Sequence, residues 1–206
     1  MSLADLYKER RREIAGRLAD FELMRYRTPK ELFPEFCFCL LTPGTKASLA
    51  DEVVRQLAAR DLLFTGSVEQ IAPLLAKRVR FYNTKAKRIV QARSLFTDDT
   101  LRTLFQLGDN KKMREWLVAN VKGLGWKEAS HFLRNVGRGE DLAIIDRHIL
   151  RNLREQGIID AVPGSLTRKR YLDIEGKVRE FSRQVGIPMQ ELDLLLWSKE
   201  TGRIFK

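Results

Sequence analysis

Hydrophobic residues recur every three to four positions along almost the whole chain, which is the spacing of one face of an α-helix. The first such segment covers residues 3–26 and ends before Pro29. Its apolar face is formed by Leu3, Leu6, Ile14, Leu18 and Phe21. We find no segment with a convincing strand pattern, no long repeat and no low-complexity linker. The pattern therefore predicts an all-α protein.

Capping residues precede several of the predicted helices. Ser67 and Gln70 have the spacing of a capping box, in which each side chain bonds the backbone N–H of the other residue. Two further helix starts have a predicted N-cap, at Asn83 and at Asp146. Pro188 suits the first turn of the last helix. Helix boundaries are thus predicted at several points by local chemistry.

The composition adds a strong positive charge. The 206 residues contain 38 Lys and Arg against 27 Asp and Glu, for a net charge of +11 and a sequence pI near 9.9. Such an excess predicts a polyanionic partner, most often nucleic acid, although a solubilising surface is the alternative. No run approaches the roughly 18 apolar residues of a membrane helix. The charged first residues also lack the apolar middle of a signal peptide, so we expect a cytoplasmic, nucleoid-associated protein.

The only cysteines are Cys37 and Cys39, inside the apolar run "LFPEFCFCLL". Two thiols cannot supply the four ligands of a structural zinc or iron–sulfur site. Buried free thiols in a reducing compartment are the simpler interpretation. We therefore expect no metal and no cofactor.

A glycine-rich stretch, "KGLGWKEAS" at residues 122–130, separates two predicted helices. Gly123 and Gly125 permit positive φ and let a phosphate approach bare backbone. Backbone N–H groups at the start of the second helix are unpaired, and the helix dipole favours an anion there. With Lys122 as an added charge, this predicts a helix-hairpin-helix that clamps a nucleic-acid backbone. An ordinary αα-hairpin is the alternative.

Lys127 follows this hairpin, at the start of the second helix. A cation is disfavoured at that end of a helix, which helps an amine to lose its proton and act as a nucleophile. A solvated first-turn lysine is the alternative. Asp146 lies one helix and a loop further along, where its carboxylate can return towards the amine. Simple N-capping is the alternative for Asp146.

The combined pattern "KGLGWKEASHFLRNVG…LAIIDRHIL" resembles the helix-hairpin-helix DNA glycosylase superfamily, and "RFYNTKAKRI" at residues 80–89 is similar to a segment that those enzymes carry upstream of the hairpin. Within it the chain is most similar to the archaeal-type 8-oxoguanine DNA glycosylase/lyase family, including "ELFPEFCFCLLT", "ELDLLLW" and the terminal "TGRIFK". The resemblance implies two helical lobes with a DNA-binding cleft between them. Residues 34–135 would form the central bundle, and residues 1–33 with 140–206 the second lobe.

The resemblance also implies an activity. Lys127 would attack the sugar C1′ to form a Schiff base, Asp146 would be the catalytic carboxylate, and β-elimination would nick the strand. The partner would be double-stranded DNA containing 8-oxoguanine or an abasic site, bound by a monomer without a cofactor. The absence of the four-cysteine cluster of the endonuclease III branch argues against oxidised pyrimidines as substrates, which remain an alternative. A non-catalytic DNA-binding module, with Lys127 as a phosphate contact, is another.

The remaining predicted site residues fall into two groups. For base recognition we expect Trp197 as a stacking surface, Asp193 one helical turn earlier, and the C-terminal Lys206, which the resemblance implies distinguishes the oxidised base. Core packing of Trp197 and a frayed tail are the alternatives. The residues expected to contact the DNA backbone are Lys122, Gly123, Gly125, Arg147, His148, Arg80 and Lys85.

Overall fold

Helices account for all the regular secondary structure in the computed structural model, which describes residues 2–206; no strand occurs in that range. The predicted all-α class is confirmed. In chain order the helices are α1 Leu3–Met24, α2 Pro29–Leu41, α3 Ala47–Ala59, α4 Leu62–Thr65, α5 Val68–Ala76, α6 Tyr82–Ala92, a 3₁₀ turn Arg93–Leu95, α7 Asp98–Gln106, α8 Asn110–Asn120, α9 Trp126–Asn135, α10 Arg147–Glu155, α11 Arg168–Val185 and α12 Met189–Thr201.

The predicted caps are mostly where the local sequence placed them. Ser67 and Gln70 form the capping box that begins α5, and Asp146 is the N-cap of α10. Asn83 is not a cap: α6 already begins at Tyr82, after Phe81 turns the chain in a left-handed conformation with φ 59°. Pro188 lies at the N-cap position of α12, immediately before the first turn rather than within it.

The chain divides into two compact units. The hairpin unit is Tyr26–Phe132, and the terminal unit combines the residues up to Arg25 with Leu133–Lys206. The second division falls inside α9. The sequence suggested the corresponding changes after residue 33 and between residues 135 and 140.

The core of the hairpin unit is built around α2, which buries residues on all its sides. Phe36 lies among three other rings, with centroid distances of 6.0 Å to Phe33, 4.6 Å to Phe96 and 5.6 Å to Phe132 of α9. Such aromatic contacts add to the burial of apolar surface. They hold the middle of α2 and the part of α9 that carries Phe132 in one core. Cys37 and Cys39 are buried free thiols in this helix, as expected.

In the terminal unit, α12 packs against α1 and α10. The extended segment before α10 has no neighbouring strand among residues 2–206, and side chains of α11 satisfy part of its backbone instead. The Tyr171 hydroxyl donates to the Ala143 carbonyl oxygen at 2.7 Å, and the Ala143 N–H donates to Glu175 Oε1 at 2.9 Å. Buried backbone groups need such partners. These bonds fix the segment that delivers Asp146 to the start of α10.

None of the helices between residues 2 and 206 has the length and apolar character required to cross a membrane.

Candidate active site

The hairpin between α8 and α9 depends on its two glycines for different reasons. Gly123 has φ +91°, a conformation that other residues rarely adopt. A Cβ there would also lie 2.3 Å from Cδ and 2.5 Å from Nε of Arg88, whose side chain covers this glycine. Gly125, which could also adopt positive φ, does not do so. It instead leaves space for the Glu128 carboxylate, which would lie 2.9 Å from an added Cβ.

Arg88 is a residue that sequence reasoning missed. It makes no ion pair within residues 2–206, and with Lys122 it lines a cavity of about 380 Å³ beside the hairpin. The cavity contains two cations and no carboxylate among its lining residues, which are Arg88, Gln91, Ala92, Ser94, Leu95, Asn120, Val121 and Lys122. An anion such as a phosphate fits this charge. Arg88 lies within the segment "RFYNTKAKRI", but its position over the hairpin has no local sequence signal.

Lys127 lies in the first turn of α9, and its side chain is only 19% exposed. Its Nζ donates to Thr42 Oγ1 at 3.2 Å, and the nearest Glu128 carboxylate oxygen is 3.9 Å away. The amine is therefore held by the α2–α3 loop (residues 42–46) instead of projecting into solvent. The structure does not support the alternative of an ordinary solvated lysine.

Lys85 is not where a phosphate contact requires it to be. The residue is 2% exposed, and its Nζ donates to the Leu41 carbonyl oxygen at 2.7 Å, the Pro43 carbonyl oxygen at 2.6 Å and Thr45 Oγ1 at 3.3 Å. All three N–H donors of the ammonium are used inside the protein. The predicted contact between Lys85 and the DNA backbone is therefore corrected to a structural role in the loop.

Burial also lowers the pKa of Lys85 to about 8. The Glu128 carboxylate acts in the opposite direction, whereas the positive charges of Arg88 and Lys127 lower the pKa further. Lys85 and Lys127 are thus electrostatic neighbours within the hairpin unit.

Asp146 caps α10 with a single oxygen. Oδ1 accepts from the His148 N–H at 2.8 Å and from the Ile149 N–H at 2.9 Å. The N-cap interpretation is confirmed. The second oxygen, Oδ2, makes no hydrogen bond to any residue from 2 to 206, and the side chain is partly exposed. The cap thus leaves half of the carboxylate available for another partner.

The residues near Asp146 in the sequence, and the other predicted backbone contact Arg80, differ in exposure and in how far other protein groups already use them. Arg147 is exposed at the first position of α10. His148 Nδ1 lies 2.8 Å from Arg151 Nη2 and 3.5 Å from Glu200 Oε2, so one face of the ring is used within the terminal unit. In the hairpin unit, Arg80 is exposed with its guanidinium 4.8 Å from the Phe81 ring centroid. Contacts of Arg80, Arg147 and His148 with DNA stay predictions.

The three residues predicted for base recognition all lie in the terminal unit. Trp197 stacks on Phe205 with a centroid distance of 6.2 Å and an interplanar angle of 25°, which brings the end of the chain next to α12. Lys206 follows and is partly exposed. Asp193 forms an ion pair with the buried Arg134. Any ligand of Asp193 therefore shares its carboxylate with Arg134, a partner that the sequence did not indicate.

No group of three His, Cys, Asp or Glu side chains suitable for a metal ion occurs in the described part of the chain.

Comparison with known proteins gives a consistent result over the whole length. The Ogg-HhH family, described as 8-oxoguanine DNA glycosylase, matches residues 14–187. A protein of Fusobacterium nucleatum is 44% identical over 209 residues, covering 98% of this chain and 94% of its own. One of Korarchaeum cryptofilum is 46% identical over 195 residues, covering 94% and 90%. Both are named 8-oxoguanine DNA glycosylase/AP lyase.

Solved structures agree. The Methanocaldococcus jannaschii 8-oxoguanine glycosylase/lyase, crystallised with a 15mer DNA containing 8-oxoguanine, superposes with a TM-score of 0.91 at 36% identity and full coverage of both chains. The 8-oxoguanine DNA glycosylase of Thermotoga maritima gives a TM-score of 0.90 at 34% identity, covering 99% of this chain and 96% of its own.

Proposed function

Because the chain belongs to the 8-oxoguanine DNA glycosylase family, we propose that it excises 8-oxoguanine from DNA and nicks the strand, with Lys127 as the nucleophile and Asp146 as the assisting carboxylate. The observation that carries this assignment is the position of Lys127. Its amine follows the hairpin directly, is largely shielded from solvent and is held by a hydroxyl group. An amine needs such a site to act as a nucleophile rather than as a solvated cation.

The reaction begins with extrusion of the damaged nucleotide, at a cost of a few kcal/mol. The neutral amine of Lys127 forms a bond to C1′ as the glycosidic bond breaks and the base leaves with its electron pair, taking up a proton. The C1′–O4′ bond then breaks as the remaining N–H proton of the amine passes to O4′, which opens the sugar ring and gives a Schiff base. The imine acidifies the C2′ hydrogen, so β-elimination breaks the bond to the 3′ phosphate. No cofactor is consumed.

Asp146 contributes charge. The sugar becomes positive as the base departs, and a fixed carboxylate stabilises that positive charge. The capping bonds to Oδ1 hold the side chain in place, while Oδ2 is left without a protein partner among residues 2–206. This division of the two oxygens supports a carboxylate that is both structural and catalytic.

DNA binding is assigned to the hairpin and the cations near it. The turn at Gly123, with Lys122 and the newly identified Arg88, presents positive charge, and the residues that line the cavity beside it include no carboxylate. Trp197, Asp193 and the C-terminal Lys206 are assigned to recognition of the extruded base. Because its substrate is DNA, we place the protein in the cytoplasm, with the genome.

Borohydride trapping tests the assignment. Wild-type protein incubated with an 8-oxoguanine duplex and borohydride should yield a covalent protein–DNA adduct, and Lys127→Gln should yield none. Lys122→Gln, which changes another hairpin lysine, is the matched control and should still be trapped while binding DNA more weakly. An adduct formed by Lys127→Gln would overturn the nucleophile assignment. Preferential trapping on a duplex with an oxidised pyrimidine would overturn the substrate.

A further inference from the structure

We propose that Thr42 and Lys85 are positioning residues that aim the Lys127 amine, acting together through the α2–α3 loop. The inference rests on the proposed role of Lys127 as the nucleophile. It concerns two residues of the hairpin unit that do not themselves meet the reacting atoms.

Thr42 holds the amine directly. Thr42 is buried at the C-cap of α2, where its N–H donates to the Phe38 carbonyl oxygen at 3.1 Å. Its hydroxyl donates to the Cys39 carbonyl oxygen at 2.8 Å. With that proton committed, Oγ1 can only accept from Lys127 Nζ, at 3.2 Å. One N–H of the amine is thereby directed at the loop, so the lone pair of the neutral amine points elsewhere.

Glu128 does not do the same. Its carboxylate oxygen is 3.9 Å from Nζ, too far for a hydrogen bond. It attracts the ammonium form of Lys127 but does not orient its N–H groups. The orientation of the amine in this structure therefore comes from Thr42.

Lys85 holds Thr42. Its Nζ bonds the carbonyl oxygens of Leu41 and Pro43, the two residues that flank Thr42 in the chain, at 2.7 and 2.6 Å. A cation is well placed there, because the last carbonyls of α2 are otherwise without helical partners and carry the negative end of the dipole. A third bond to Thr45 Oγ1 at 3.3 Å ties in the rest of the loop. One ammonium group thus fixes the carbonyl groups of the residues before and after Thr42.

The cost of burying Lys85 fits this role. Desolvation of an ammonium group is unfavourable even when it is hydrogen-bonded, and the lowered pKa of Lys85 shows that the site disfavours its charge. The charged neighbours that act on it are Glu128, Arg88 and Lys127. A group of this kind is explained if the loop geometry it maintains is needed for the reaction.

The expected effect is on chemistry and not on affinity. Attack on C1′ requires the amine at near-contact distance and in line, and small misplacements reduce rates strongly. The residues that we propose bind the DNA backbone, Lys122, Gly123 and Arg88, are unchanged in variants of Thr42. Loss of the Thr42 hydroxyl should therefore slow adduct formation on DNA that is already bound.

Thr42→Val and Thr42→Ser provide the matched test, because valine has the shape of threonine without the hydroxyl and serine retains it. Single-turnover trapping on a saturating abasic-site duplex should slow about tenfold in Thr42→Val and stay close to wild type in Thr42→Ser. Affinity for a duplex with a tetrahydrofuran abasic analogue should change by less than about twofold in both variants. Thr65→Val, which removes a hydroxyl that donates to the Asp61 carbonyl oxygen elsewhere in this unit, is the control and should match wild type.

Protonation is separated from geometry by pH. The deficit of Thr42→Val should be the same at about pH 6.5 and about pH 7.5, where Lys85, with a pKa of about 8, keeps the charge that holds the loop, because the lost hydroxyl changes geometry and not charge. Lys85→Met should show the same slow trapping with retained affinity. If Lys85→Met does not fold, the comparison of Thr42→Val with Thr42→Ser tests the inference. Wild-type trapping by Thr42→Val, or equal losses in the valine and serine variants, would overturn the inference. Adduct formation by Lys127→Gln would instead overturn the proposed function, so the two failures are distinguishable.

Discussion

The starts of α9 and α10 carry the two residues assigned to chemistry, but the two helix ends treat them in opposite ways. Asp146 is a carboxylate at the positive end of α10 and accepts two backbone N–H bonds there. Local structure alone explains its presence. Lys127 is a cation at the positive end of α9, where helix electrostatics oppose it. Local structure does not explain why a lysine stands there.

The difference shows how such residues should be weighed. A residue whose position already contributes to folding is weaker evidence for function, because it would be found there in either case. A residue whose charge destabilises the helix that it begins needs another explanation for its position. Thr42 and the hairpin supply that reason for Lys127, whereas for Asp146 the argument depends on the oxygen that the cap does not use.

The largest effect is expected from separating the two roles of Asp146. Asparagine caps helices about as well as aspartate, so Asp146→Asn should fold normally while losing the charge that we propose stabilises the sugar as the base departs. Single-turnover excision of 8-oxoguanine should fall by about 10²–10³-fold, on the order of 3–4 kcal/mol of transition-state stabilisation. Excision at the wild-type rate would reduce Asp146 to a cap.

Lys85 gives a second prediction, for the pH dependence of stability. Its pKa is about 8 in the folded protein against 10.5 when unperturbed. Between these values the unfolded chain binds more protons, so raising the pH favours the folded state. The free energy of unfolding should rise by about 3 kcal/mol across this window, relative to Lys85→Met. The rise is complete near pH 10.5 and absent below pH 8.

Denaturant unfolding at several pH values measures this difference. Subtracting the Lys85→Met curve removes contributions of groups such as Tyr7, whose pKa is raised by its hydrogen bond to Glu191. Lys87→Met changes an exposed lysine of the same helix and should show no such slope relative to wild type. If the difference in the free energy of unfolding between wild type and Lys85→Met did not change with pH, burial would not destabilise the ammonium group.

The features that the sequence predicted well are local ones. Helical periodicity and caps such as Ser67 and Asp146 depend on residues within one or two turns, so they can be read directly from spacing. The predicted start of α6, with Asn83 as its N-cap, was wrong because nothing in the sequence signals the left-handed conformation of Phe81. Lys85 was misread although a signal existed, since it shares the buried face of α6 with Ile89 and Ala92.

The contacts that organise the candidate site are not local. Thr42 and Lys127 are 85 positions apart, and Arg88 reaches Gly123 from a different helix. No periodicity or cap rule predicts pairs at such separations. The sequence therefore suggested candidates for the reactive groups, but not the residues that hold them.

The smallest predicted effect tests the comparison most directly, because the two helix starts should respond with opposite signs. Asp146→Ala removes a side chain that accepts from two N–H groups and should lower the free energy of unfolding by about 1 kcal/mol. Lys127→Gln removes a cation from the wrong end of a helix and should leave stability unchanged or raise it by about 0.3 kcal/mol, although it also alters the bond to Thr42. Denaturant unfolding at neutral pH measures the change in the free energy of unfolding for both variants. If Lys127→Gln were the more destabilising of the pair, folding would account for the lysine, and its position would no longer argue for a catalytic role.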